Sequence, residues 1–193
     1  MGVKKEDCSD KVFFAASDLL SALGVDLTDE NYLETPARFG SYLEAAFSYD
    51  ISKDLEKWKK SVFPTEYAGM VTQTGVNGYS MCPHHLLPVQ YRIDLAYIPR
   101  DKVIGLSKLA RMAIACCKTP ALQEDLAVNI ADTLENVLTT SNVAVLATGV
   151  HSCMTIRGVR AENSKTVTSI FRGDFYTDLN TRNEFLSLVR MAQ

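Results

Sequence analysis

All the histidines of this chain and two of its cysteines lie in two short groups. His84 and His85 follow Cys82 closely, and His151 precedes Cys153 by two positions. Every imidazole of the 193 residues therefore stands within three positions of a thiol. Because thiolate sulfur and imidazole nitrogen are atoms with which proteins bind zinc, this clustering predicts a metal centre built from two distant segments.

The spacing within each group indicates which side chains face the metal. Cys82 and His85 are separated by two residues, the spacing with which a turn presents two ligands. Residues two positions apart in a strand share a face, so the side chains of His151 and Cys153 are expected to point the same way. We assign Cys82, His85 and Cys153 to the metal, because a catalytic zinc takes three protein ligands and a water. His84 and His151 then remain beside the open position as acid–base groups.

Spacing alone leaves a second arrangement open. A purely structural zinc takes four ligands, so a closed Cys2His2 site with one spare histidine fits the same residues. The open site offers more chemistry, because zinc lowers the pKa of a bound water to about 7 and a histidine of ordinary pKa, about 6.5, can move protons. The five cysteines are an odd number, and disulfides explain them poorly in a reducing compartment.

A second set of residues predicts that the substrate is an anion. Ser107 lies at the start of a predicted helix, where backbone N–H groups favour negative charge. Lys108 and Arg111 share the polar face of that helix, and Arg157 continues the predicted strand of the second cysteine group. Arg38 is a further cation in the first turn of an earlier helix. Taken singly, each could be an ordinary solvated charge, and a phosphate-binding P-loop motif is absent.

Gln123 and Glu124 are predicted to lie one turn into a helix that begins at Thr119 and Pro120. A carboxylate in this place could accept hydrogen bonds from the ring N–H and exocyclic NH2 groups of guanine. Taken alone, an acidic residue in a first helical turn is more often a complement to the helix dipole.

The elements that must position these residues follow from the hydrophobic pattern. Its periodicity predicts helices over 11–23, 35–47, 55–60, 106–117, 119–137 and 180–191, and strands over 67–79, 89–97, 143–150, 154–159 and 165–172. This order indicates an α+β fold in which helices cover one face of an antiparallel sheet, with open edges that oligomerisation can hide. We divide the chain into an N-terminal helical segment, residues 1–63, and one structural unit, residues 64–193.

Composition excludes several classes of protein. The formal net charge of −3 and a sequence pI of about 5.6 do not suggest a nucleic-acid-binding surface. No apolar run approaches the roughly 18 residues of a membrane-spanning helix. Residues 1–7 are charged and lack the apolar region of a signal peptide. We therefore expect a cytoplasmic protein without a nucleic-acid or membrane partner.

Several ordered motifs together resemble those of the GTP cyclohydrolase I family. They are Ser80-Met81-Cys82-Pro83-His84-His85, Gly105-Leu106-Ser107-Lys108-Leu109-Ala110-Arg111, Gln123-Glu124, His151-Ser152-Cys153-Met154, Arg157-Gly158-Val159 and Asn163-Ser164-Lys165-Thr166-Val167-Thr168-Ser169. The resemblance extends from about Thr35 to Leu186, which is most of the chain.

The resemblance implies a fold, an assembly and a reaction. The fold is the tunnelling fold (T-fold), an antiparallel sheet with two helices per subunit, and the assembly is a homodecamer with sites between subunits. The reaction converts GTP and water into 7,8-dihydroneopterin triphosphate and formate at one zinc ion per subunit, the first step of pterin biosynthesis.

The resemblance also implies roles for individual residues. Cys82, His85 and Cys153 match the zinc ligands, and His84 and His151 match the proton-transfer histidines. Gln123 and Glu124 match the guanine-recognition positions. Ser107, Lys108, Arg111 and Arg157 match ribose and triphosphate contacts, and Arg38 matches a contact supplied by a neighbouring subunit.

Two departures from the family pattern suggest alternatives. Pro83 replaces the glutamate of the usual Cys-Glu-His-His, and Asp125 stands where the family commonly has arginine. Such changes could mark an enzyme that stops at a ring-opened intermediate, or a non-catalytic, zinc-stabilised nucleotide-binding regulator. A zinc-dependent nucleobase deaminase is disfavoured, because its His-x-Glu and Pro-Cys-x-x-Cys motifs do not occur.

Overall fold

A computed structural model describes residues 8–47 and 49–192. The chain divides by its internal packing into two compact units, Met1–Tyr49 and Asp50–Gln193. The predicted division after residue 63 stays a prediction, and residues 1–7 of the predicted N-terminal segment lie outside the described residues. None of the helices within the described ranges is both long and apolar enough to cross a bilayer.

Regular elements occupy most of the described chain. The helices are Asp10–Ala22 (α1), Thr35–Phe47 (α2), Ser52–Lys59 (α3), Leu106–Cys117 (α4), Gln123–Leu138 (α5), Ser152–Thr155 (α6), Asp174–Thr177 (α7) and Leu179–Met191 (α8). The strands are Val62–Pro64 (β1), Val71–Met81 (β2), Pro88–Tyr97 (β3), Lys102–Ile104 (β4), Val143–His151 (β5) and Thr166–Phe171 (β6). The short β1–β4 ribbon and helices α6 and α7 were not predicted.

In the first unit, α1 packs against α2, and the buried residues of both helices are small. The buried residues of α2 are Pro36, Ala37 and Gly40, whereas Tyr42 and Phe47 are about half exposed. A side chain at Gly40 would lie 3.0 Å from the sulfur of Cys8, so the chain approaches this point of α2 closely. The apolar pattern of residues 35–47 predicts that Tyr42 and Phe47 face inward, and that prediction is wrong.

The second unit is built on a four-stranded antiparallel sheet in the order β2-β3-β5-β6. Helices α4 and α5 cover one face, and alternate residues of β3 are buried as predicted: Val89, Tyr91, Ile93, Leu95 and Tyr97. At one end, α8 covers the opposite face with Phe185 and Val189, which pack with Ala96 and Ala144. The α+β class, the antiparallel sheet and the helical layer are confirmed, and they agree with a T-fold.

Strand register decides which residues meet at the edge of this sheet. Met81 pairs with Pro88, and Val89 pairs with His151, so the turn after β2 lies beside the end of β5. Gly149 stands between Tyr91 on one side and Thr166 on the other. The two cysteine-containing segments therefore reach the same end of the sheet.

The strand predicted over residues 154–159 is wrong. Strand β5 ends at His151, and the next residues form the one-turn helix α6. Gly158 and Arg160 then adopt positive φ values of 61° and 51°, which are incompatible with a continuous strand. Ile156 and Val159 are 65% and 70% exposed, so the alternating apolar pattern of this segment does not reflect burial in a sheet.

Candidate metal centre and active site

The structure brings the three predicted metal ligands together. The ligand atoms of Cys82, His85 and Cys153 all lie within 4.8 Å of one another. Cys82 Sγ is 3.6 Å from His85 Nδ1, close to the distance of about 3.6 Å that separates sulfur and nitrogen around a tetrahedral zinc. Two sulfurs and one imidazole suit zinc, and three ligands leave its fourth position available to a water.

A tight turn between β2 and β3 presents the first two ligands. The backbone N–H of Leu86 donates to the carbonyl of Cys82 at 2.8 Å, and the N–H of Cys82 donates to Leu87 at 2.9 Å. Leu86 has a φ of 52°, which reverses the chain between the two strands. The turn places Cys82 and His85 on the same side, as the spacing predicted.

Cys153 reaches the cluster by a different route from the predicted one. It does not follow His151 along a strand, because α6 turns the chain at Ser152. Burial and the neighbouring Cys82 thiol raise the pKa of Cys153, while the charge of Arg157 opposes that shift. A bound cation would stabilise the two thiolates together, because metal ligation requires the deprotonated form.

The two remaining histidines stand beside this cluster. His84 is exposed, with Nδ1 4.0 Å from Cys82 Sγ. His151 is half-buried, and its ring meets Tyr91 edge-to-face with centroids 6.1 Å apart. Burial lowers the pKa of His151, and the nearby Glu124 carboxylate partly opposes this change. The arrangement therefore supplies a neutral histidine beside a metal-binding group at neutral pH.

Gln123 and Glu124 are the first two residues of α5, not one turn into it as predicted. Leu122 precedes them in an extended conformation, with φ and ψ of −64° and 150°, so the helix does not begin at Pro120. The Gln123 side chain is buried and donates to backbone carbonyls of both β5 and β6. The Glu124 residue is exposed, and its charge acts on His151.

The start of α4, with Ser107 and Lys108, lies at the other end of the sheet from the Cys82, His85 and Cys153 group. The last residue of α4, Cys117, fills the space beside Gly78, which pairs with Tyr91 near the cluster. The start of α4 follows Ile104, whose N–H donates to the hydroxyl of Tyr97 at the far end of β3. A helix of 12 residues spans about 18 Å.

One chain therefore does not bring all the predicted residues to one place. Ser107 and Lys108 belong to the start of α4, away from their own chain's cluster, and Arg111 lies in the middle of the helix. Arg157, in the exposed loop after α6, acts electrostatically on Cys153 and so belongs to the cluster end. Arg38 lies in the first unit, where its guanidinium pairs with Glu34.

The two departures from the family pattern share one groove. Pro83 and Asp125 both line an open cavity of about 810 Å³, together with residues of α3, α4 and α5. Neither contributes a ligand atom to the Cys82, His85 and Cys153 group. The departures therefore alter a surface near the centre without changing the proposed metal ligands.

Sequence reasoning missed two residues of the site, Tyr91 and Gly149. Tyr91 is 1% exposed, and burial together with nearby negative groups raises the pKa of its hydroxyl. In the sequence Tyr91 is one apolar position of a buried strand, and nothing there marks its contact with His151. Gly149 is identified only by the side chains that crowd the space beside it. Only the pairing of β3 with β5 shows that Tyr91 and Gly149 lie beside His151.

Comparison with known proteins is consistent with this geometry. The family model described as GTP cyclohydrolase I matches residues 14–190. GTP cyclohydrolase 1 of Clostridium perfringens is 37% identical over 94% of this chain and 98% of its own length. GTP cyclohydrolase 1 of Carboxydothermus hydrogenoformans is 41% identical over 93% of this chain and 94% of its own.

A solved structure with a remote likeness is titled "Crystal structure of the archaeosine synthase QueF-Like in the apo form". It has a TM-score of 0.42 and 16% identity, and it covers 55% of this chain and 93% of that chain. Family membership rests instead on the family model and the sequence relatives, which span nearly the whole chain. The chain belongs to the GTP cyclohydrolase I family.

Proposed function

We propose that the protein is a GTP cyclohydrolase I, which opens the imidazole ring of GTP with water and yields 7,8-dihydroneopterin triphosphate and formate. One observation carries this proposal: a Cys-His-Cys group with two further histidines beside it, in a chain of this family. A closed structural site would use one of those histidines as a fourth ligand, whereas the group whose ligand atoms lie together consists of Cys82, His85 and Cys153.

Cys82, His85 and Cys153 would hold one zinc ion per subunit. When bound, zinc supplies a water activated for attack at neutral pH. The protein contributes an acid–base pair beside it. His151, kept neutral by burial, can accept a proton, and the exposed His84 can exchange protons with solvent or with a departing nitrogen.

The start of α5 is the proposed guanine-recognition point. The exposed carboxylate of Glu124 can accept hydrogen bonds from the N–H groups of the base, and its charge reaches His151. A base bound there would be held beside the histidine and the metal-binding group. Correct placement of reacting atoms is itself a large part of catalysis.

We infer that the triphosphate site is shared between copies of the chain. Ser107 and Lys108 lie most of the length of α4 away from their own cluster, and Arg111 lies about half of that length away, so a neighbouring copy would supply them if they bind the same substrate. Strands β2 and β6 are the outer strands of the sheet, and edge strands favour pairing with another chain. A homo-oligomer, a decamer by resemblance, with Arg38 also donated by a neighbour, meets both requirements.

We place this reaction in the cytoplasm, at the start of a pterin or folate type of biosynthesis. GTP is the proposed small-molecule partner, and neither nucleic acid nor a membrane is proposed. The net charge of −3 supports the absence of a polyanion partner.

The direct test incubates the zinc-loaded protein with GTP and measures formate together with the fluorescent, oxidised pterin. Equal amounts of the two products are expected. Formate without pterin would indicate an enzyme that stops after ring opening. GTP binding without formate would indicate a regulator, and release of ammonia would indicate a deaminase.

A mixing experiment tests the shared site. Lys108→Ala and Cys153→Ala chains are each expected to be inactive, because one lacks the anion contact and the other a metal ligand. Co-assembled in equal amounts, they should recover about a quarter of wild-type activity, since that fraction of shared sites receives both intact halves. A mixture of Cys82→Ala and Cys153→Ala, both altered in the same half, should recover nothing. Failure of the first mixture, with co-assembly verified, would contradict a shared site.

A further inference from the structure

The Gln123 side chain joins α5 to the sheet and to His151 through three hydrogen bonds. Its Nε2 donates to the carbonyl of Ala147 at 3.0 Å and to the carbonyl of Thr166 at 2.9 Å. Its Oε1 lies 2.8 Å from His151 Nε2. Gln123 is 3% exposed, so water does not compete strongly for these bonds.

This network determines which way the Gln123 amide points. Reversing the amide would place its oxygen against two carbonyl oxygens, and all three groups are acceptors only. The NH2 group must therefore face Ala147 and Thr166, and the amide oxygen must face His151. Because that oxygen can only accept, the hydrogen of the bond lies on His151 Nε2. In the neutral ring, Nδ1 then carries the free lone pair.

Gly149 provides the space in which this bond forms. A Cβ atom at Gly149 would lie 2.4 Å from Gln123 Oε1, 2.8 Å from Tyr91 Cε1 and 3.1 Å from His151 Nε2. Any side chain would therefore displace the two bonded atoms or the ring of Tyr91. Tyr91 also meets the imidazole edge-to-face, so the ring is held by a hydrogen bond and by packing.

We propose that Gln123 is a positioning residue for His151, and that Gly149 permits the contact. Gln123 holds the ring in one orientation and keeps the hydrogen of the neutral ring on Nε2, so that Nδ1 is the ring nitrogen without a hydrogen. This role differs from the direct substrate contact that the resemblance implies for Gln123. The inference rests on the proposed function for its kinetic test, but not for its spectroscopic one.

The kinetic test uses Gln123→Met, which keeps a side chain of similar length and removes all three bonds. Zinc content and the KM for GTP are expected to stay close to wild type, while kcat falls about tenfold or more, as when the partner of a functional histidine is lost. A raised KM with unchanged kcat would mean that Gln123 binds substrate, and it would overturn the proposal.

The spectroscopic test needs no turnover. The chain contains only three histidines, so 15N-labelled histidine gives few signals, and His151→Ala assigns one of them. In the wild-type, zinc-loaded protein, His151 should show the tautomer protonated at Nε2, and Gln123→Met should lose that preference. A wild-type ring protonated at Nδ1 would overturn the proposal. If wild-type protein fails to convert GTP but shows the expected tautomer, the proposed function fails and this inference stands.

Gly149→Ala tests the same contact without changing either bonded side chain. The added methyl group should lower kcat about as much as Gln123→Met does, with zinc retained. Because both changes break the same Gln123–His151 bond, the double variant should lower kcat no further than Gln123→Met does alone. Thr148→Val is the matched control, since the adjacent side chain points to the opposite face of the sheet and should leave kcat unchanged. A fully active Gly149→Ala protein would contradict the role given to Gly149.

Discussion

Replacing Cys153 with alanine is expected to abolish zinc binding and GTP turnover together. The substitution leaves one sulfur and one imidazole, Cys82 and His85, of the three groups whose ligand atoms now lie within 4.8 Å of one another. Two ligands do not make a stable protein site for zinc, which takes at least three. Metal analysis of the purified protein should fall from about one zinc per chain to a small fraction of that, and turnover should fall below about a hundredth of wild type.

Cys116→Ala is the matched control for this experiment. Cys116 is also a buried cysteine without a disulfide, but burial raises the pKa of its thiol to about 11, and its sulfur contacts Thr133 instead of the cluster. The variant should keep both zinc and turnover. A Cys153→Ala protein with full zinc and full activity would show that the metal, if present, is held elsewhere.

Replacing His151 with alanine is expected to separate the two properties that Cys153→Ala loses together. Zinc should remain, because His151 lies outside the group of three ligands. Turnover should fall by about 10²-fold or more, the scale of general acid–base catalysis. Measuring zinc content and kcat on the same preparation tests both statements.

The outcome of His151→Ala also decides between the open and the closed metal site. Loss of zinc would make His151 a fourth ligand and would support the structural alternative that spacing left open. Unchanged turnover with zinc retained would remove His151 from the acid–base role. Added imidazole should restore part of the activity if the missing ring acts in proton transfer, and an unfolding temperature close to wild type would exclude a loss of fold.

Much of the secondary structure could be predicted because periodicity is a local property. The structure confirms strand β3 and helix α4 where the hydrophobic pattern predicts them, and helix α5 from Gln123 onward. The alternating apolar pattern over 154–159 resembles that of a strand, but Gly158 and Arg160 adopt left-handed conformations that a regular strand does not contain. The start of α5 was placed too early, because Pro120 is compatible both with a first helical turn and with the extended segment that precedes Gln123.

The residues of the site divide in the same way. Some contacts follow from neighbouring positions in the sequence, and others depend on segments that are far apart in the chain. Cys82 and His85 are presented by one turn, so their spacing already indicated a pair of ligands. Cys153 joins them because strand register aligns the end of β5 with the start of β3 and α6 then turns the chain, and that route was not predicted. Lys108 is separated from the cluster because of the direction in which α4 crosses the sheet. The local sequence pattern does not indicate that direction.

The sequence by itself determined the chemistry available to this protein: which residues could bind zinc, which could move protons, and the family to which these motifs point. Those conclusions depend on residue types and on short spacings, which the covalent chain sets directly. Only the tertiary structure decided that Gln123 faces His151, that Gly149 leaves room for their hydrogen bond, and that the start of α4 lies away from its own metal centre. These facts depend on strand pairing and packing between segments far apart in the chain, where small differences in register decide which atoms meet.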